Sequence, residues 1–341
     1  MRIKRICAAL FISLFLSCNN GVIEELQKQK DFILSISNLR QNFLDIFTSF
    51  GEMIGGILEF KAETPKSEVG KYFNNIADTI EKVKDKLTSD IANNEHYDKV
   101  RTLVDKFIVT LDVIAACTRE ASKVSKGSEP LGNMPNSATA GNPGEAEKLI
   151  KPIKTIVDLV LQEGNPNAGN DKKADDGQTP RANSNDNAGH LFANNNAGAG
   201  AANAKKAAAD AAKAVGAVTG ADILKAISQG EGGAAATLAK NTQNSGSVNA
   251  VNSAKDATVA GAIALRAMAT GGKFAGQTTA DDAIAIVKDA AASAVNKTLS
   301  TLIIAIRNTV DSGLKIINKV LAEVKQEDQS SEVTASGTDT K

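Results

Sequence analysis

Apolar residues recur along the N-terminal part of the chain at alternating spacings of four and three positions. This spacing is the period of one face of an α-helix, and its regularity is typical of helices packed nearly parallel. Three stretches carry it: Phe32, Ile36, Leu39, Phe43, Ile46, Phe50, Met53 and Ile57; Val69, Phe73, Ile76, Ile80, Val83 and Leu87; and Tyr97, Val100, Val104, Phe107, Leu111 and Ile114. Because short connections join these stretches, the pattern predicts antiparallel neighbours in an up-down helical bundle.

The same periodicity predicts two further helices. One follows a loop over 126–144 that is rich in proline and glycine, and it carries Leu149, Ile153, Ile156, Val157, Val160 and Leu161. The other is a long last helix whose stripe contains Val295, Leu299, Leu302, Ile306, Val310, Ile317, Val320 and Val324. Thr64 and Thr279 precede helical patterns and are expected to act as N-caps. Asp281 and Asp282 fall in the first turn of the last helix, where negative charge is favourable.

Between these regions the composition shifts to asparagine, glycine and alanine. Residues 164–203 contain only two large apolar side chains, Leu191 and Phe192, and so predict a long mobile surface loop. A loop of this kind would be replaceable by another polar sequence with the melting temperature nearly unchanged. Alanine-rich stretches at 205–218, 221–228 and 253–270 predict short helices that end at glycines, and 241–252 predicts another polar loop.

The first eighteen residues have the form of an export signal that ends at a cysteine. A basic head with Arg2, Lys4 and Arg5 precedes an apolar run over 6–16 and then Ser17-Cys18. The run is too short to cross a bilayer as a permanent helix. We therefore predict a signal peptide over 1–17 and a lipid-modified N-terminus at Cys18, carrying N-acyl and S-diacylglycerol groups. The alternative is a free cysteine after an ordinary signal.

Composition narrows the classes of function. The chain has 39 basic and 39 acidic residues, and loss of the three basic signal residues leaves 36 against 39, a net charge of −3. Without a basic excess, nucleic-acid binding is not expected. Cys7 leaves with the signal and Cys18 takes the lipid, so Cys117 is the remaining thiol and no internal disulfide is expected. Its apolar helical neighbours predict a small buried core residue.

No motif in the sequence predicts catalysis. His96 and His190 stand apart from one another and from cysteine or paired carboxylates at metal-ligand spacing, and no Gly-x-Ser-x-Gly elbow occurs. We therefore predict no catalytic, metal or cofactor site, and no enzymatic activity. Two basic doublets, Lys172-Lys173 and Lys205-Lys206, form a weak candidate patch for a host ligand.

Together these patterns predict an all-α, elongated antiparallel bundle. The mature domain is expected over 18–326, with bundle helices over 18–163 and 279–326, a loop-rich part over 164–278, and a disordered tail over 327–341. If the last helix packs against the first, both termini lie at the membrane-proximal end. The polar loops would then lie at the far end, facing outward.

Several stretches resemble a known family. They are FGEMIGGILEFKAETPKSEVGKYF at 50–73, KAVGAVTGADILKAI at 213–227, AGAIALRAMATGGKFA at 260–275 and DSGLKIINKVL at 311–321. With the signal that ends at Cys18, they are similar to the variable large proteins, a group of variable major proteins of relapsing-fever Borrelia. They are also similar to the variable surface lipoprotein of Lyme spirochaetes. The third stretch is the most specific, because of its Arg266, Met268, Lys273 and Phe274.

The resemblance implies a helical lipoprotein of the outer membrane that faces the exterior and serves antigenic variation. It also implies that shared framework segments, 260–275 among them, are buried, and that host antibodies are partners. One alternative is an adhesin that binds host matrix, glycosaminoglycan or a serum component. A weak homodimer through exposed seam residues is a further possibility. The family supplies no catalytic residue, and only the lipid site at Cys18 carries over.

Overall fold

The chain is all-α in a computed structural model that describes residues 59–92, 98–183 and 186–335, together with scattered positions between 30 and 48. Within these residues there are eight α-helices, two short 3-10 helices and no β-strand. The α-helices are α1 Lys66–Ala92, α2 Asp98–Val124, α3 Ala146–Val160, α4 Ala201–Gly216, α5 Gly220–Ile227, α6 Ala234–Ala239, α7 Asp256–Met268 and α8 Asp281–Ala335. The 3-10 helices are Ala188–Phe192 and Asn249–Val251. The predicted fold class is confirmed.

Two compact units make up the chain. The larger contains 50–84 and 107–311, and the smaller contains 1–49, 85–106 and 312–341. The first predicted helix lies outside the described residues, and so does the signal at 1–17. The predicted packing of the first helix against the last helix therefore remains a prediction.

Helices α1 and α2 are antiparallel over the parts that lie in the larger unit, 66–84 and 107–124. Ser122 Oγ donates to Asn74 Oδ1 at 2.8 Å, and Lys84 Nζ donates to Asp112 Oδ1 at 2.8 Å, so later positions on α2 meet earlier positions on α1. The predicted seams face inward, with these residues buried: Val69, Phe73, Ile76, Ile80, Val83, Leu87, Val100, Val104, Phe107, Leu111 and Ile114. The helical period thus identified the core faces of both helices.

The two threonines predicted as N-caps have other roles. The hydroxyl of Thr64 accepts from the backbone N–H of Lys61 at 2.9 Å, and that of Thr279 donates to the carbonyl of the preceding residue. Thr279 also has a φ of 56°, which is unusual for a β-branched residue, whereas an N-cap has extended backbone. Asp281 and Asp282 do occupy the first turn of α8, as predicted.

Helix α7 lies at the centre of the larger unit. All 13 of its residues are buried, and α3, α4, α5 and α6 pack around it. Its alanines and glycine leave room for close approach: a Cβ added at Gly261 would lie 3.1 Å from Ala235 Cβ. Ile263, Leu265, Met268 and Phe274 are also buried. The burial expected for 260–275 is confirmed over 260–269, whereas Gly271 is exposed.

Several boundaries differ from the predicted ones. Helix α4 starts at Ala201 and not at 205, and α6 was not predicted, because its six alanine-rich residues carry too little pattern. Helix α8 continues to Ala335, past the predicted end at 326. Its buried stripe follows the prediction to Ile317 and then continues through Leu321, while Val320 is half-buried. No helix in the described part of the chain is both long enough and apolar enough to cross a membrane.

Two glycines near the junction of α4 and α5 provide a matched test of how α5 packs on α8. A Cβ at Gly220 would meet Lys297 O and Thr301 Oγ1 at 2.1 Å, whereas a Cβ at Gly216 would meet nothing within 4 Å. We expect Gly220→Ala to lower the free energy of unfolding by about 1–3 kcal/mol, since the backbone of α8 must move. Gly216→Ala should raise it by about 0.5–1 kcal/mol. Urea unfolding measures both, and equal effects would contradict the packing of α5 on α8.

Candidate functional site

The lipid site predicted at Cys18 lies outside the described residues, and so does His96. The irregular polar segment over 164–203, predicted to face outward, lies within the described residues apart from 184–185. The prediction of a long mobile surface loop was wrong for much of this segment. Its second half is packed inside the larger unit, and these residues are fully buried: Ala188, Leu191, Phe192, Ala193 and Ala197. His190, predicted to be part of the mobile loop, is also buried, at 2 % exposure.

Arg181 fixes the first half of the segment. Its side chain is fully buried, and Nε and Nη2 form two parallel hydrogen bonds with the carboxylate of Asp210 on α4, both at 2.8 Å. Nη2 also donates to Asp256 Oδ1 on α7 at 2.7 Å. Nη1 donates to the carbonyl oxygens of Asn170 and Ala254. All five N–H donors of this guanidinium are thus used, and one side chain joins the irregular segment to two helices.

The two carboxylates also hold backbone on their other sides. Asp210 accepts from the N–H groups of Ala174 and Ala188, at 3.1 and 2.9 Å. Asp256 accepts from the N–H of Asn170 at 2.8 Å and from Lys213 Nζ at 3.1 Å. The cluster therefore contains two buried anions, the buried cation Arg181 and the half-buried cation Lys213, and each carboxylate has several donors. Such completeness is what buried charges require, because an unpaired one is costly.

The charges in this cluster stabilise one another. Burial by itself lowers the pKa of Arg181, but the hydrogen bonds and negative charges of Asp210 and Asp256 outweigh it and leave that pKa raised. Arg181 therefore stays charged at any physiological pH.

A second buried arginine, Arg266 on α7, contacts the segment over 164–203 at the ring of Phe192. Its guanidinium donates to Ala239 O at 2.8 Å and to Asn241 O at 3.2 Å, where α6 ends, and it lies 4.8 Å from the centre of the Phe192 ring. Burial lowers the pKa of Arg266 to about 9, so it remains protonated at neutral pH. Cations favour the carbonyl end of a helix, and an aromatic face adds further stabilisation.

Lys66, at the start of α1, makes a similar arrangement at the C-terminal end of α7. The side chain is fully buried, and Nζ donates to the carbonyl oxygens of Arg266 at 3.0 Å and Ala267 at 2.5 Å. Burial lowers the pKa of Lys66 to about 7; Glu129 raises it and the charge of Arg266 lowers it further. A basic side chain from another element thus caps the last turn of α7.

The two basic doublets do not form a free basic patch. Lys205 pairs with Asp282 at 2.7 Å and Lys206 with Asp175 at 2.9 Å. Lys173 pairs with Asp186, and Lys172 lies 3.8 Å from Asp171. Each of these lysines thus lies within 4 Å of an aspartate carboxylate.

Other groups considered from the sequence show no reactive arrangement. Cys117 is half-buried and not fully buried as predicted, and burial together with Glu120 raises the pKa of its thiol. A raised pKa keeps the thiol protonated and poorly nucleophilic. Within the residues that the structure describes, no group of three or more histidine, cysteine, aspartate or glutamate side chains could hold a metal ion.

Comparison with known proteins places this architecture in a family. Residues 43–321 match the family described as Borrelia lipoprotein. The chain belongs to the Borrelia lipoprotein family. Its relatives include variable large protein 4 of Borrelia hermsii, which is 42% identical over 98% of this chain and 96% of that protein. Variable large protein 19 of the same organism is 46% identical over 94% of this chain and 93% of that protein.

A solved structure shares the fold of this family member. The Lyme disease variable surface antigen VlsE of Borrelia burgdorferi superimposes with a TM-score of 0.68 and 27% sequence identity. The match covers 85% of this chain and 99% of that one. The predicted resemblance to variable large proteins and to the Lyme antigen is confirmed. The helical fold described above is therefore shared with a variable surface antigen of Borrelia burgdorferi.

Removal of Arg181 should destabilise this Borrelia lipoprotein family member strongly. Arg181→Met leaves Asp210 and Asp256 buried without their main partner, and we expect it to lower the free energy of unfolding by about 3–5 kcal/mol. Arg119→Met is the matched control, because Arg119 also contacts two carboxylates but at the surface, where such pairs contribute little. Urea denaturation compares the two. An equally small effect of both would show that Arg181 is not essential to the fold.

The buried Lys66 predicts a pH dependence of stability. Its pKa falls from 10.5 in the unfolded chain to about 7 in the folded one, so between these values the unfolded state binds more protons. Stability should therefore rise from about pH 7 upwards, by at most about 1.4 kcal/mol per pH unit, and be lost again as the pH falls. Lys66→Met should abolish this slope. The free energies of unfolding of the wild type and of Lys66→Met, measured at about pH 6 and about pH 9, test this prediction. An equal change with pH in the two proteins would contradict the lowered pKa of Lys66.

Proposed function

We propose that this chain is a lipid-anchored, outer-surface variable antigen whose switching serves antigenic variation and evasion of host antibodies. The observation that carries the proposal is its similarity, along nearly the whole chain, to variable large proteins of Borrelia hermsii. The shared fold with a variable surface antigen of Borrelia burgdorferi adds support. Host antibodies are the proposed partners.

The division between buried and exposed residues supports this role. In the segment over 164–203, Arg181 and Phe192 are fully buried and hold fixed positions, whereas 175–180 are exposed. Exposed residues can change with little effect on stability, while the buried charges cannot. A protein so built can present different surfaces on one framework.

The anchor is proposed to be Cys18, with the protein held in the outer membrane and facing the exterior. Support comes from the basic head and short apolar run before Ser17-Cys18, and from membership of a lipoprotein family. No observation favours catalysis. The adhesin alternative has lost its main sequence support, because the basic doublets at 172–173 and 205–206 are paired with aspartates.

The anchor can be tested with two cysteine variants. We expect mass spectrometry of the mature protein to find an acylated N-terminus at Cys18, and a protease added to intact cells to remove the protein. Cys18→Ala should abolish acylation and release the protein from the membrane fraction. Cys117→Ala, the matched control, should leave both unchanged. A mature N-terminus at any other residue, or protection from protease on intact cells, would contradict the proposal.

Antigenic variation has its own test. Antiserum raised against this chain should bind intact cells that display it and should fail on cells that display a relative such as variable large protein 4. This is expected because substitutions at exposed positions alter what an antibody contacts at little cost in stability. Equal binding to both kinds of cell would argue against the role. Binding of the delipidated protein to heparin at physiological salt would favour the adhesin instead.

A further inference from the structure

The amine of Lys213 on α4 lies against the side-chain amide of Asn170 in the irregular segment. Lys213 Nζ donates to Asn170 Oδ1 at 2.7 Å and to the carbonyl oxygen of Lys172, also at 2.7 Å. The second hydrogen bond holds the amine beside the amide. A nucleophile and an acceptor fixed in contact in this way react far faster than the same groups free in solution.

The amide oxygen of Asn170 has a second donor. The backbone N–H of Lys172 donates to Oδ1 at 2.9 Å. A donor directed at an amide oxygen stabilises the negative charge that forms there when a nucleophile adds to the carbonyl carbon. The backbone of Asn170 is itself fixed, because its N–H donates to Asp256 at 2.8 Å and its carbonyl accepts from Arg181 at 3.1 Å.

The carboxylate of Asp256 on α7 also contacts this amine. Its two oxygens lie 3.1 and 3.4 Å from Lys213 Nζ, and its side chain is fully buried. A carboxylate within hydrogen-bond reach can take a proton from an amine and deliver it to a departing nitrogen. The side chain of Lys213 is 27% exposed and Asn170 is exposed, so a released nitrogen has a direct path to solvent.

We propose that Lys213 and Asn170 become joined by an isopeptide bond, with Asp256 as the proton carrier. One proton of the Lys213 ammonium passes to Asp256, and the neutral amine forms a bond from Nζ to Cγ of Asn170. The bond from Cγ to Nδ2 then breaks with its electron pair on nitrogen, to which Asp256 returns the proton. The ammonia that leaves takes a second proton from Nζ and departs as ammonium. The reaction needs no oxidant, cofactor or second substrate.

Such a bond would give this chain a covalent cross-link. Cys117 is the one thiol expected to remain free in the mature chain, so an internal disulfide is not expected. The two residues are 43 positions apart, and a link between them restricts the unfolded chain as a disulfide does. The bond would hold the irregular segment to α4 at the edge of the Arg181 cluster.

Mass spectrometry of the purified, unlipidated mature chain, unfolded in denaturant, tests the bond. We expect the intact mass to be lower than the mass calculated from the sequence by one ammonia. Trypsin should release the peptides 155–172 and 207–225 as one linked species, since it does not cut after an acylated Lys213.

Two lysine variants on α4 identify the nucleophile. Lys213→Arg keeps the positive charge and removes the amine, so its mass should equal that calculated from its sequence and its peptides should be separate. Lys206→Arg is the matched control, because Lys206 pairs with Asp175 at the surface of the same helix, and it should still lose one ammonia. Ring closure of Asn170 onto the following backbone N–H also releases ammonia, but it leaves the two peptides separate.

A wild-type mass equal to the sequence mass, separate peptides in the wild type, or a loss of ammonia that persists in Lys213→Arg would each overturn the proposal. The wild-type measurements decide the matter even if Lys213→Arg does not fold. They use purified protein and do not depend on its location or switching, so their failure leaves the proposed function untouched.

Discussion

Buried basic side chains that donate to carbonyl and carboxylate oxygens hold the centre of this protein together. Arg181 joins the irregular segment to α4 and α7, Arg266 joins α7 to the end of α6, and Lys66 caps α7 from α1. Alanine-rich helices bury little apolar surface for each residue they order, so hydrophobic burial alone leaves them weakly fixed in position. The basic side chains supply directional contacts that alanine cannot, and they fix the positions of α4, α6 and α7.

This arrangement explains how a variable surface can be combined with one fold. The segments between the helices are polar, yet a few buried contacts with the helices determine their positions. These positions hardly depend on the exposed side chains. A substitution at an exposed position such as Gln178 changes only what a partner meets, whereas one at Arg181 removes a contact on which two helices depend. Family membership and the fold shared with a variable antigen agree with this division of labour.

The amphipathic helices could be predicted from the sequence, and the packing of the polar segment could not. The seams of α1 and α2 follow a local period, so spacing alone identified their buried faces. The partners of Arg181 lie 29 and 75 residues away, at Asp210 and Asp256, and no local pattern connects them. In the sequence, Leu191 and Phe192 indicated that this segment is packed, because two large apolar residues in a polar stretch are typical of an anchored segment. The arginine partners of that segment remained hidden until the fold was known.

The central claim is that residues 164–203 belong to the framework and are held by buried charges. Native-state hydrogen exchange of the purified chain tests it most directly. We expect the N–H groups of Ala188, which donates to Asp210, and Ala193, which donates to His190 O, to exchange slowly, with protection comparable to that of the buried helix α7. Exchange of these groups at the rate of an unstructured chain, while α7 stays protected, would contradict the account and restore the picture of a mobile loop.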